Sequence, residues 1–150
     1  MQVDRLVVRG AQTMYALGTL KQHGLSGPPL WEVTRATFIA RLTYASQAWW
    51  GLLDAQGRDR LGKVLNKAVR GGFLPKHHPS FAQICDSADE QMFGDILKNP
   101  KHVLHHLLPP VSEAKSRLRI RAHDREMPAA NQNTLSRKTF ISRMLMLNSY

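Results

Sequence analysis

Cysteine is nearly absent. A single one, Cys85, in 150 residues excludes a disulfide framework and any cysteine-rich zinc module carried by this chain alone. Long apolar runs are missing too, and none reaches the roughly 18–20 residues that cross a bilayer as a helix. The first ten residues, MQVDRLVVRG, carry Asp4 early and hold no apolar stretch of the kind a signal peptide needs. Phosphate-cradling glycine loops are also lacking. Arg9-Gly10 and Arg70-Gly71-Gly72 do not have the G-x-x-x-x-G-K-[S/T] spacing. These absences lead us to expect a soluble, intracellular protein of a reducing compartment, with no cofactor and no membrane partner.

Acidic residues are scarce relative to basic ones. Lys and Arg number 21 against 11 Asp and Glu, for a formal net charge of +10. Such a balance points to a partner of dense negative charge, nucleic acid first and an acidic membrane surface second. The excess is uneven. Residues 1–80 carry net +7, residues 81–110 net −2 and residues 111–150 net +5. Two basic regions therefore flank a slightly acidic one.

The remaining composition, 43% hydrophobic and 21% charged, is that of an ordinary globular chain of about one domain. Val3, Leu6, Val7, Gly10, Met14 and Leu17 recur on one helical face. Gly24, Ser26, Gly27, Pro28 and Pro29 end that helix, and the prolines suit the first turn of a second. The second helix is expected from about Leu30 to Trp49. Val33, Ala36, Thr37, Ala40 and Tyr44 would lie along one side of it, in a central and largely buried position.

After a connection at Gly51 to Gly57, a third helix turns Leu61, Val64, Leu65, Ala68 and Val69 inward. Its other face carries Arg58, Arg60, Lys63, Lys67 and Arg70, and Gly71-Gly72 closes it. Ser80 is placed to cap a fourth helix that buries Phe81, Ile84, Cys85, Ala88, Met92, Phe93, Ile96 and Leu97. Asn99-Pro100 breaks that helix. A short fifth helix is expected through Val103, Leu104, Leu107 and Leu108, ending at Pro109-Pro110. Residues 111–135 read as an extended basic segment, and residues 136–147 as a short helix or strand that docks back. The expected fold is all-α: a bundle of about five helices over residues 1–110, followed by a partly irregular basic extension over 111–150.

Candidate chemistry is sparse. Asp86, Asp89 and Glu90 read as the solvated face of the fourth helix rather than as metal-holding carboxylates, because strand–turn–strand flanks are missing. His102, His105 and His106 would share a helical face, with His77, His78 and Cys85 elsewhere. No recognised zinc spacing accompanies them. Cys85 on an apolar face reads as a small hydrophobe, and Trp49-Trp50 as core packing. The phosphate-contact candidates are basic. Lys63, Lys67 and Arg70, at i, i+4 and i+7, can track a phosphate backbone from one helix face. Arg117, Arg119 and Arg121 alternate with apolar residues, so an extended chain would set three guanidiniums on one side. Arg125 completes this set.

Several strings resemble one family. Ala11 to Leu17 (AQTMYAL), Leu20 to Leu25 (LKQHGL) and Leu42 to Gly51 (LTYASQAWWG) are similar to the region after the catalytic palm in LINE-type (non-long-terminal-repeat) retrotransposon reverse transcriptases. The likeness continues through Phe81 to Asp89, Asn99 to Pro110 (NPKHVLHHLLPP), Leu118 to Arg125 and Phe140 to Tyr150. It runs in order along nearly the whole chain. It implies a thumb-like helical domain over 1–110 and a C-terminal extension over 111–150. The Mg²⁺-holding palm would lie before residue 1, and its x-Ala-Asp-Asp motif is absent here.

The resemblance therefore implies a non-catalytic fragment. It would hold an RNA–DNA or DNA duplex by its backbone, with the palm of the parent polymerase as a further partner. The open alternatives are a remnant or interaction domain whose basic tail meets an acidic partner, and a small hydrolase using the histidine cluster.

Overall fold

The apolar spacing of the first twenty residues does produce a helix, α1 (Gln2–Gln22), with Val3, Gly10 and Leu17 buried along one side. The computed structural model describes residues 2–112, 123–129 and 133–148. Among these, every regular element is helical and the fold is all-α. Packing groups the chain into two units, Met1–Ala45 with Leu53–Cys85, and Ser46–Leu52 with Asp86–Tyr150. The change in sequence character at 110/111 is not where this grouping divides the chain.

In the first unit, α2 (Pro28–Thr34) begins with both prolines in its opening turn, where a missing N–H leaves nothing unsatisfied. It then passes into a π-helical turn, Arg35–Ile39, closed by the Ala40 N–H donating to the Arg35 carbonyl, and into α3 (Ala40–Thr43). This changes which side faces inward. Leu30, Thr34, Phe38 and Leu42 are buried, whereas Ala36 and Ala40 are exposed and Tyr44 is 81% exposed.

The expected inward face of Val33, Ala36, Thr37, Ala40 and Tyr44 is therefore corrected. Steps of four residues drift by about 40° each on an α-helix. The wider π turn absorbs that drift and keeps the four residues aligned. Thr34 is tolerated there because its hydroxyl donates to the Leu30 carbonyl at 2.8 Å.

The expected run to Trp49 is also corrected. Tyr44 leaves the helical region, and Ala45 takes a left-handed conformation with φ 50°. A side chain makes that conformation unfavourable, so the helix ends there.

α5 (Ala55–Arg70) starts at Asp54, whose carboxylate accepts from the Gly57 N–H at 2.7 Å. Replacing Asp54 with Ala should destabilise the first unit by about 0.5–2 kcal/mol, the usual range for removal of an N-cap. Urea unfolding followed by circular dichroism checks this, and an unchanged midpoint would show that the cap is dispensable. Leu61, Leu65 and Ala68 face inward as expected. α1 packs on α5, and Gly10 lies where they approach closely. A Cβ at Gly10 would sit 3.2 Å from a Val64 methyl and 3.4 Å from the Phe38 ring.

α6 (Phe81–Lys98) opens with a reciprocal cap. The Gln83 N–H donates to the Ser80 hydroxyl at 3.2 Å, and the Ser80 N–H donates to the Gln83 side chain at 2.8 Å. Phe81 and Cys85 join the core of the first unit, and residues 86–98 belong to the second.

The second unit is built on Phe93, Ile96, Leu108, Met144 and Leu145. The last two come from α8 (Phe140–Leu147), which docks as a helix. α7 (Thr134–Lys138) precedes it, capped by the Asn133 side chain accepting from the Ser136 N–H. In place of the expected fifth helix there are turns and a single 3₁₀ turn, His105–Leu107. Val103 and Leu107 are exposed, Leu108 is buried in the core, and Leu104 packs against it half-buried. The earlier part of this unit holds α4 (Ser46–Trp49) and a 3₁₀ turn, Trp50–Leu52. Trp50 is buried there with its indole N–H donating to Asp86 at 2.8 Å, and Trp49 meets it edge to face.

The segment expected to be an extended tail is tied at two places. Ser112 and Glu126 donate backbone N–H groups to Asp124 and Pro110, around the Val111–Arg125 bridge. His123 is buried, accepting at Nδ1 from the Arg125 N–H at 3.1 Å, so its other nitrogen carries the proton toward the Leu145 carbonyl at 3.0 Å.

Candidate nucleic-acid interface

Helix α5 has a strongly divided surface. Its buried residues occupy one side, and Lys63, Lys67 and Arg70 are all exposed on the other. At about 100° per residue these three fall within an arc of about 60°. From Lys63 to Arg70 the axial rise is about 10.5 Å, roughly three nucleotide steps of one strand at 3.4 Å each. Lys67 and Arg70 sit in the last turn, where cations are favoured by the helix carbonyl end.

The neighbours of this stripe modify it. Lys63 pairs with Asp59 at 2.7 Å, and both side chains are well exposed. Such a pair contributes little to stability and leaves the ammonium able to exchange partners. Arg60 is held by Asp4 at 2.8 Å. Lys67 and Arg70 have no ion pair among the described residues. Lys21 reaches the same end of the helix, donating to the Gly71 carbonyl at 2.6 Å and lying 5.4 Å from the Phe73 ring centre. The first unit carries net +7.

The other candidates fare differently. Arg117, Arg119 and Arg121 lie outside the described residues. Arg125 is 15% exposed and engaged within the chain. Its Nη1 donates to the Pro109 carbonyl at 3.3 Å, its Nη2 lies 3.3 Å from His105 Nε2, and its Nε lies 3.7 Å from Asp124. The structure thus brings Lys63, Lys67 and Arg70 together, and Arg125 belongs to the second unit.

Comparison of the chain with family models, curated proteins and solved structures gives no match. Among the described residues, no group of three His, Cys, Asp or Glu side chains is arranged to hold a metal ion. His102 accepts from the Leu104 N–H through Nδ1, and His105 lies against Arg125. The shared helical face expected for His102, His105 and His106 does not form, because the backbone there turns instead of continuing as a helix.

One carboxylate departs from the expectation set by its charge. Asp89, expected on a solvated face, is buried, and it accepts from Arg143 Nη2 at 2.6 Å. Its spacing carried the signal. Asp89 falls four residues after Cys85 and four before Phe93, on the apolar face itself.

Proposed function

We propose that this chain is a non-catalytic nucleic-acid-binding module that holds a duplex by its phosphates through α5. The observation that carries the proposal is the outward stripe of Lys63, Lys67 and Arg70 in a unit of net charge +7. The resemblance to the thumb-like and C-terminal region of LINE-type reverse transcriptases supports the same partner, an RNA–DNA or DNA duplex. A stripe on one helix contacts backbone rather than base edges, so little sequence discrimination is expected.

The test is fluorescence anisotropy of the full chain with a labelled RNA–DNA duplex at several salt concentrations. Changing Lys63, Lys67 and Arg70 together to Gln should reduce the slope of log K against log salt by about 0.9 for every phosphate no longer neutralised. Circular dichroism of the variant should be unchanged, because all three side chains point away from the core. An unaltered slope and affinity would remove α5 from the proposal. Changing Arg117, Arg119 and Arg121 to Ala asks the same question of the C-terminal region.

A further inference from the structure

A second feature of the first unit has the makings of a binding site. α1 and the segment from the π turn to Tyr44 border an open cavity of about 550 Å³. That volume falls within the roughly 300–1,000 Å³ of small-molecule sites. Half-buried Leu6 and the Tyr44 ring give it apolar surface, whereas Phe38 and Leu42 border it as core side chains only 1% exposed. Phe38 lies in the π turn, a distortion that often marks functional positions. Arg9 and Arg41 line it from opposite segments, and among the described residues no acidic side chain does. Neither arginine has an ion pair among the described residues. Arg41 is steadied by donating to the Thr13 hydroxyl at 3.4 Å, so its guanidinium is held toward α1. Tyr44 completes the lining and is 81% exposed.

Two uncompensated guanidiniums select an anion, and bidentate guanidinium contacts suit phosphate. An exposed aromatic ring beside a partly exposed leucine selects a flat, largely apolar group. Both requirements are met by one chemical class. We propose that this cavity binds a single nucleotide unit, with its base against Tyr44 and Leu6 and its phosphate between Arg9 and Arg41. The unit can be a free nucleotide or an unpaired residue of a nucleic-acid strand. The strand case rests on the function proposed above, whereas the free-nucleotide case does not.

The experiment is a titration of the isotope-labelled full chain, followed by nuclear magnetic resonance. The probes are adenosine 5′-monophosphate, adenosine and ribose 5-phosphate. Saturable shifts in Arg9 to Thr13 and Arg41 to Tyr44 are expected with the monophosphate. Both fragments should bind at least about tenfold more weakly, since each lacks one of the two contacts. Arg41→Gln and Tyr44→Leu should each weaken the monophosphate by about tenfold, with Arg9→Gln as a further variant should either of these not fold. The α5 triple variant should leave this binding unchanged.

Competition then separates the sources. A duplex with a single-stranded overhang that displaces the monophosphate, where a blunt duplex does not, identifies a strand residue. Displacement by neither identifies a free nucleotide. Absence of saturable shifts overturns the proposal, as does ribose 5-phosphate matching the monophosphate, or Arg9→Gln and Arg41→Gln both binding like the parent. Monophosphate binding without any duplex binding would leave this site standing and remove the α5 function.

Discussion

Replacing Arg143 with Met should destabilise the second unit by about 3–5 kcal/mol, as removal of one member of a buried ion pair does. The Arg143 and Asp89 side chains are 15% and 4% exposed, and their contact is 2.6 Å. The variant would strand a carboxylate in the interior without that counter-charge, far from water that could solvate it. Asp89→Leu combined with Arg143→Met should recover most of the loss, because two apolar side chains of similar size carry no desolvation penalty. Gly51 guards the same pair. A Cβ there would run into the Arg143 guanidinium and lie 2.7 Å from the Lys138 carbonyl oxygen. Urea denaturation with circular dichroism is the measurement. A single variant that loses less than about 1 kcal/mol, the range of an exposed pair, would show that the contact is not structural.

Phe38→Ala should destabilise the first unit by a comparable amount, about 3–5 kcal/mol, the range for a deleted core aromatic. Phe38 is 1% exposed and lies against Gly10, where α1 approaches α5. Leu42, which meets Phe38 at Gly10, is itself fully buried, so filling the void would cost it its own packing. Hydrogen exchange gives a sharper readout than the melting curve alone. Protection of α1, α5 and the π turn should fall in Phe38→Ala, whereas Arg143→Met should first lower protection of residues 86–98 and α8. Loss confined to the other region in either variant would contradict the packing described for it.

What could be read beforehand follows from the range of the forces involved. α1, α5 and most of α6 were legible because their core positions repeat at an undistorted 3.6-residue period, and Asp54, Ser80 and Gly71-Gly72 mark ends by local chemistry. The α5 stripe was legible for the same reason: one helix suffices to place Lys63, Lys67 and Arg70. The buried side of α2 was not, because the wide turn changes the period within it. The fate of Arg125 was not, since Pro109 and His105 are 16 and 20 residues away. The cavity beside Arg9 and Arg41 was not, since its walls come from segments about thirty residues apart. Asp89 was misassigned on its charge although its spacing was that of a core position.

The π turn at Arg35–Ile39 has a bearing on chain length. A helix with one wide turn contains one residue more than an α-helix needs to place the same side chains. Leu30, Thr34, Phe38 and Leu42 are spaced by four. Deleting one residue between Thr34 and Phe38 would bring the spacing to four, seven and eleven, the ordinary stripe of an α-helix. The four side chains would still reach the core. The same deletion in α5 would rotate everything after it by about 100° and turn its apolar stripe toward water. Shortened versions of this protein should therefore be tolerated at the π turn, with the fold left in place.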